Sequence, residues 1–166
     1  MSDNELELYC LNILENSGQP ERVINHCKAV ANTAKKLATD LNKKGFDLDV
    51  SLCYRAGLLH DVCRTEKRHA EKGKEYLEGL GLFREAEIVA VHMGEEINTE
   101  EITEAGIVCL ADKLTAGGNT VSIKKRFEPA FKKYAGDAET LALINQRYET
   151  AVKLESLVNK YLASGS

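Results

Sequence analysis

The sequence predicts an all-α fold in one compact helical bundle. Three observations carry this. Apolar residues recur in alternating steps of three and four. Runs of alternating β-branched residues are missing. Only two prolines interrupt 166 residues. Hydrophobic residues make up 43% and charged residues 29%, which suits a soluble globular chain able to bury its own core.

The first helix is expected over residues 3–16, with Ser2 and Glu5 at capping-box spacing and Gly18 as its stop. Pro20 suits the first turn of the second helix. There Val23, Cys27, Val30, Ala34, Leu37 and Leu41 form one stripe, and Gly45 ends it. Asp49 caps a third helix expected to reach about Cys63. Apolar residues surround most of that helix, so it belongs at the centre. Helices follow at 68–80 and 84–93. Asn98 and Glu101 have the spacing to start a sixth, "EEITEAGIVCLADKL". A loop, "TAGGN", leads to a helix near 122–134 that Pro129 should interrupt or restart. Asp137 caps a long final helix. Residues 1–166 read as one domain, with a motif-bearing core of about 21–114 and C-terminal helices at 122–162 packed on it.

Charge and composition narrow the function. A net charge of −4 argues against a nucleic-acid partner. No apolar run approaches the roughly 20 residues needed to span a bilayer, so no membrane association is expected. The five cysteines show no CxxC spacing and lie in apolar patterns. They read as reduced core residues, Cys63 among them, and with no signal peptide in view this points to the cytoplasm. The oligomeric state is left open.

Six residues stand out because ionisable groups sit at apolar positions. His26 borders the stripe of the second helix. His60 and Asp61 end the buried third helix. His69 heads the apolar face of the fourth, His92 follows Ile88 and Val89 by one turn, and Asp112 interrupts "GIVCLADKL". A single buried histidine is ordinarily a hydrogen-bonded core residue. Four of four, with two carboxylates, point instead to a metal site, where the ion supplies the missing charge. A carboxylate has two oxygens and can bridge two ions; an imidazole cannot.

The ligands follow one another at separations of 34, 1, 8, 23 and 20 residues from His26 to Asp112. The order H…HD…H…H…D resembles the HD-domain superfamily of metal-dependent phosphohydrolases. "HAEKGKEYLEGLG", "VAVHMG" and "IVCLADKL" resemble blocks of a bacterial binuclear branch that includes symmetrical diadenosine tetraphosphate hydrolases, and HD domains fused to nucleotidyltransferases. The separation of eight residues between Asp61 and His69 is shorter than in those tetraphosphate hydrolases.

The resemblance implies that His26, His60, Asp61 and Asp112 hold one metal. It implies that Asp61, His69 and His92 hold a second, with Asp61 bridging and acting catalytically by positioning a metal-bridging hydroxide. Imidazole with carboxylate suits Fe or Mn, with Zn, Ni or Mg as alternatives. The substrate would be a small phosphorylated molecule, a nucleotide or dinucleoside polyphosphate cleaved at a phosphoester or phosphoanhydride bond. Charge developing on phosphate oxygens calls for cations. Arg64, Lys113, Arg126, Lys67 and Arg68 are the candidates. Two other readings remain: a di-iron oxygenase on the same scaffold, and a nucleotide-binding module without turnover.

Overall fold

The computed structural model describes residues 1–164. Eight helices dominate it: α1 (Asp3–Glu15), α2 (Glu21–Asn42), α3 (Val50–Leu59), α4 (His69–Gly79), α5 (Phe83–Val91), α6 (Glu104–Lys113), α7 (Ile123–Lys133) and α8 (Ala138–Leu162). Between α6 and α7 lies a small hairpin of β1 (Thr115–Ala116) and β2 (Asn119–Thr120). The expected all-α bundle is therefore what forms.

Helix α3 is central, as its apolar circumference predicts. Leu52, Cys53 and Ala56 face a core shared with α2, α6 and α8. Leu58 and Leu59 face a second core shared with α1, α2 and α5. One ten-residue helix thus joins both cores. Its C-terminal end, carrying His60 and Asp61, emerges between them. All five cysteines are buried and free, as expected of packing residues.

Helix starts follow local capping chemistry. Ser2, Asp49, Thr103, Ser122 and Asp137 each accept a backbone N–H three residues on. Three boundaries differ from expectation. Helix α3 ends at Leu59 rather than near Cys63, because the His60 ring donates to the Gly57 carbonyl and the chain tightens into turns bonded three residues back. Asn98 does bond Glu100 and Glu101, but only as a local turn; α6 begins after Thr103. Helix α7 runs unbroken through Pro129, whose lost donor falls on an exposed face while Phe127 anchors the opposite side. The "TAGGN" segment is a hairpin turn. Gly117 and Gly118 take φ of 56° and 79°, as a two-residue turn of the type I′ class requires.

Two glycines set helix spacing next to the histidines. A Cβ on Gly57 would meet the Ala31 Cα at 2.7 Å, so α2 and α3 touch backbone to backbone. A Cβ on Gly73 would meet Val89 Cγ1 at 2.9 Å, which brings α4 against α5. Gly57 lies three residues before His60, and Gly73 four after His69. We predict that Gly57→Ala forces α2 and α3 apart and destabilises the fold by about 1–3 kcal/mol. Urea denaturation should show a lower midpoint at unchanged slope. An unchanged midpoint would mean that this contact relaxes freely.

Candidate metal centre

The six sequence-derived residues come together although 86 residues separate the first from the last. Helix α2 supplies His26 from its first half, and the end of α3 supplies His60 and Asp61. His69 opens α4, His92 follows α5, and Asp112 lies in the last turn of α6. The turn into α4 bends at Arg68, the one non-glycine residue with positive φ, 53°, among the described residues. Such a conformation is uncommon for a side chain of this size. It swings His69 back towards Asp61.

His60 and His92 are built alike. Each sits at the C-terminal cap of its helix, and each ring donates Nδ1–H to the carbonyl three residues back at 2.7 Å. A carbonyl only accepts, so Nδ1 must carry the proton. In the neutral ring, Nε2 is then a bare lone pair. Yet His60 Nε2 lies 3.4 Å from Asp61 Oδ2 and 3.3 Å from Asp112 Oδ1. His92 Nε2 lies 3.5 Å from Asp61 Oδ1. Acceptors thus face acceptors, and His60 Nε2 is a buried polar atom without a hydrogen-bond partner. A cation between them removes the conflict.

The carboxylate oxygens divide between two groups of rings. Asp61 Oδ2 faces His60, while Oδ1 faces His92 and also His69, at 3.4 Å. Asp112 Oδ1 faces both His60 and His26, the latter at 2.9 Å. Ligand atoms of His26, His60 and Asp61 all lie within 4.8 Å of one another, and so do those of Asp61, His69 and His92. The two sets share Asp61. The residues present therefore fit divalent metal ions, by donor type and by the direction of their lone pairs.

Residues 23–117 match the family described as "HD domain", more than half of the chain. The chain belongs to the HD-domain superfamily of metal-dependent phosphohydrolases. This HD protein is 32% identical over 164 residues to an uncharacterized protein of Methanocaldococcus jannaschii, covering 86% of this chain and 96% of that one. It is 31% identical to a tRNA (cytidine(56)-2'-O)-methyltransferase of Thermoplasma volcanium, covering 86% of this chain and 46% of that one. A ribonuclease Y of Chlorobium phaeovibrioides is 31% identical over 74% of this chain and 25% of its own length. The chain thus spans about half of the methyltransferase and a quarter of the ribonuclease. No solved structure matches.

Electrostatics in this HD site follow from the crowding. Burial alone would raise the Asp61 carboxyl, but the imidazoles crowded against it, His60 first and then His69 and His92, hold it far below the usual carboxylate range. Burial opposes ionisation of Asp112 too, and Lys113 and His60 overcome it. His60 shows the converse: burial disfavours its charge, but Asp61 and Asp112 raise its pKa well above the ordinary value. His92 stays low, because burial outweighs the Asp61 contact. Burial, with Glu66 beside it, pushes the Cys63 thiol up to about 11, which keeps it protonated and un-nucleophilic at neutral pH.

The predicted cations separate. Arg64 and Arg126 line a cavity of about 330 Å³ over Asp61, His69, His92 and Asp112. Arg64 is exposed, with Nε 3.9 Å from Asp61 Oδ2. Arg126 donates Nε–H to the Thr115 carbonyl at 2.9 Å, and its Nη2 lies 3.7 Å from Asp112. Lys113 also borders the cavity, but it is buried. Its Nζ donates to Asp112 Oδ2 at 2.6 Å and to the His92 carbonyl at 3.2 Å, tying two elements of the site together. Arg68 pairs with Glu71 at 3.4 Å and lines a neighbouring groove, while Lys67 is exposed on the turn before it. Sequence reasoning did not find the Gly57 and Val89 carbonyls, since backbone acceptors leave no residue signature.

A pH effect follows. Without metal, the raised His60 pKa means that its ionic contacts stabilise the fold fully below the unfolded value of about 6.5. That stabilisation is lost as pH rises through the higher folded value. The metal-free protein should therefore melt at lower temperature as pH rises from neutral into the alkaline range. Mn(II) should flatten that decline, since the ion replaces the proton. Melting curves with chelator and with Mn(II) decide it. Parallel declines in both would show that metal does not replace the His60 proton.

Proposed function

We propose that this chain hydrolyses a phosphoester or phosphoanhydride bond of a nucleotide or dinucleoside polyphosphate, using two divalent transition metal ions. The observation that carries the reading is the division of Asp61's oxygens between two sets of histidines at the floor of an open, cation-lined cavity. His26, His60, Asp61 and Asp112 would hold one ion; Asp61, His69 and His92 the other. Fe or Mn suits this imidazole and carboxylate set. When bound, such ions turn water into a nucleophile at neutral pH and draw charge from phosphate oxygens.

The chain's own residues do the rest. Arg64 and Arg126 are positioned to meet phosphate oxygens, where charge-assisted bonds are strongest. Lys113 holds Asp112 from behind, leaving Oδ1 turned towards the histidines. Phe127, Tyr134, Leu143 and Ile144 wall the cavity and suit the flat apolar face of a nucleobase. Arg126 takes its place from the Thr115 carbonyl.

The deciding assay measures phosphate release and metal content together, with Mn(II) or Fe(II) and without oxygen. Release should require metal and persist anaerobically; oxygen-dependent turnover would favour the di-iron oxygenase. Tight nucleotide binding without cleavage would favour a binding module. Asp61→Ala should lose both ions and activity. Arg64→Ala should keep both ions and lower kcat/KM by roughly 10–100-fold, as loss of a charged hydrogen bond implies. An Asp61→Ala protein that retains two ions and near-normal turnover would refute the bridging role.

A further inference from the structure

A second cavity, of about 570 Å³, meets the first at Asp61, Arg64, Arg126 and Ala130. It lies between the start of α2, the hairpin and α7. Each cavity is lined by four cations, counting Lys113 and Arg147 in the first, but the first also holds two carboxylates, Asp61 and Asp112. The first cavity carries the aromatic and aliphatic wall of Phe127, Tyr134, Leu143 and Ile144. The second is lined by four cations, Arg22, Arg64, Lys125 and Arg126. Its one carboxylate is Asp61, already engaged by histidines.

This positive groove runs against the charge of the whole chain. Helix α7 holds five basic residues and one acidic residue, a net +4, while the chain totals −4, so the remainder carries −8. The acidic partner on α7, Glu128, pairs with Lys132 at 3.2 Å, away from the groove. Arg22 and Lys125 are exposed and take part in no ion pair among the described residues. Unpaired cations facing a cleft in an acidic protein attract anions to that cleft.

We propose that the groove between Arg22 and Lys125 is a second anion subsite, which binds a phosphate group of the substrate other than the one that is cleaved. This rests on the reading that the metal centre holds the scissile phosphate. It makes the substrate a molecule with at least two phosphates, extending from the first cavity past Arg126 into the second. The second phosphate belongs either to a polyphosphate chain or to the next nucleotide of a strand, and these differ in spacing.

The test is equilibrium binding to the Mn(II)-loaded protein, by calorimetry, so that turnover is not needed. Three probes separate the sources: AMP, methylene-bridged ADP, and a phosphorothioate-linked dinucleotide with a 5′-phosphate. At least one two-phosphate probe should bind about tenfold or more tightly than AMP. The tighter of the two identifies chain or strand. The Arg22→Ala/Lys125→Ala double variant should erase that advantage, changing AMP affinity by less than about threefold. Arg22→Lys/Lys125→Arg, which keeps both charges, should retain most of it. Equal loss for all three probes, or no advantage in the unsubstituted protein, would overturn the subsite. Retained selective binding with no hydrolysis of any phosphate ester would refute the hydrolase reading and leave the subsite standing.

Discussion

The structure depends on a conflict that only a positive charge resolves. Two buried carboxylates, Asp61 and Asp112, face imidazole nitrogens, and two of those rings have already given their Nδ1 protons to backbone carbonyls. Burying charge without compensation costs several kcal/mol. A core of this size does not absorb that cost at its very centre unless the charge is matched. The helix ends explain how the geometry is imposed. Where α3 and α5 stop, the last carbonyls lack helical partners. His60 and His92 satisfy one each, and the same bond that caps the helix aims Nε2 inwards.

Other contacts hold the histidine-bearing helices in register. The close approach at Gly57 fixes α2 against α3, and the one at Gly73 fixes α4 against α5. A buried ion pair, Arg55 Nε to Glu85 Oε2 at 3.1 Å, ties α3 to α5. Arg55 precedes His60 by five residues and Glu85 precedes His92 by seven, so this pair clamps the two helices whose ends carry the rings. Lys113 closes the frame, joining Asp112 on α6 to the His92 carbonyl after α5. Breaking a buried pair leaves an unmatched charge, so each clamp favours one arrangement over its alternatives.

Much of this was legible in the sequence, and the gaps have physical causes. The six ligand candidates were visible because histidine and aspartate at apolar helical positions contradict the surrounding pattern. The central place of α3 was visible from its apolar circumference. Lys113 illustrates what was not. A lysine after a ligand reads as a free cation at the mouth of a site, since nothing local reveals that Nζ finds its acceptors on Asp112 and, across the fold, at His92. Helix ends at Leu59 and Thr103 were missed for a related reason. Apolar periodicity continues past Leu59 into Val62, and Asn98 offers a genuine cap-like turn, so both boundaries were decided by local side-chain to backbone bonds, His60 to the Gly57 carbonyl and Thr103 to Gly106 N–H, that periodicity does not register.

The division between metal core and substrate wall has a consequence for function. All six ligand candidates fall within residues 23–117, the part that matches the HD family. Arg126, Phe127, Tyr134, Ile144 and Arg147, which border the first cavity, all come later in the chain, on or beside α7 and α8. Helix α7 is also where the positive charge collects. The metal-ligand candidates and most of the cavity's wall thus come from different stretches of sequence. A shared metal core leaves the partner molecule free to vary, because the residues that would touch its base or its further phosphates lie outside the shared segment. On the proposed reading, the residues that would choose the substrate lie mainly on or beside α7 and α8, so relatives that resemble this chain only through the ligand-bearing helices carry no information about that half of the site.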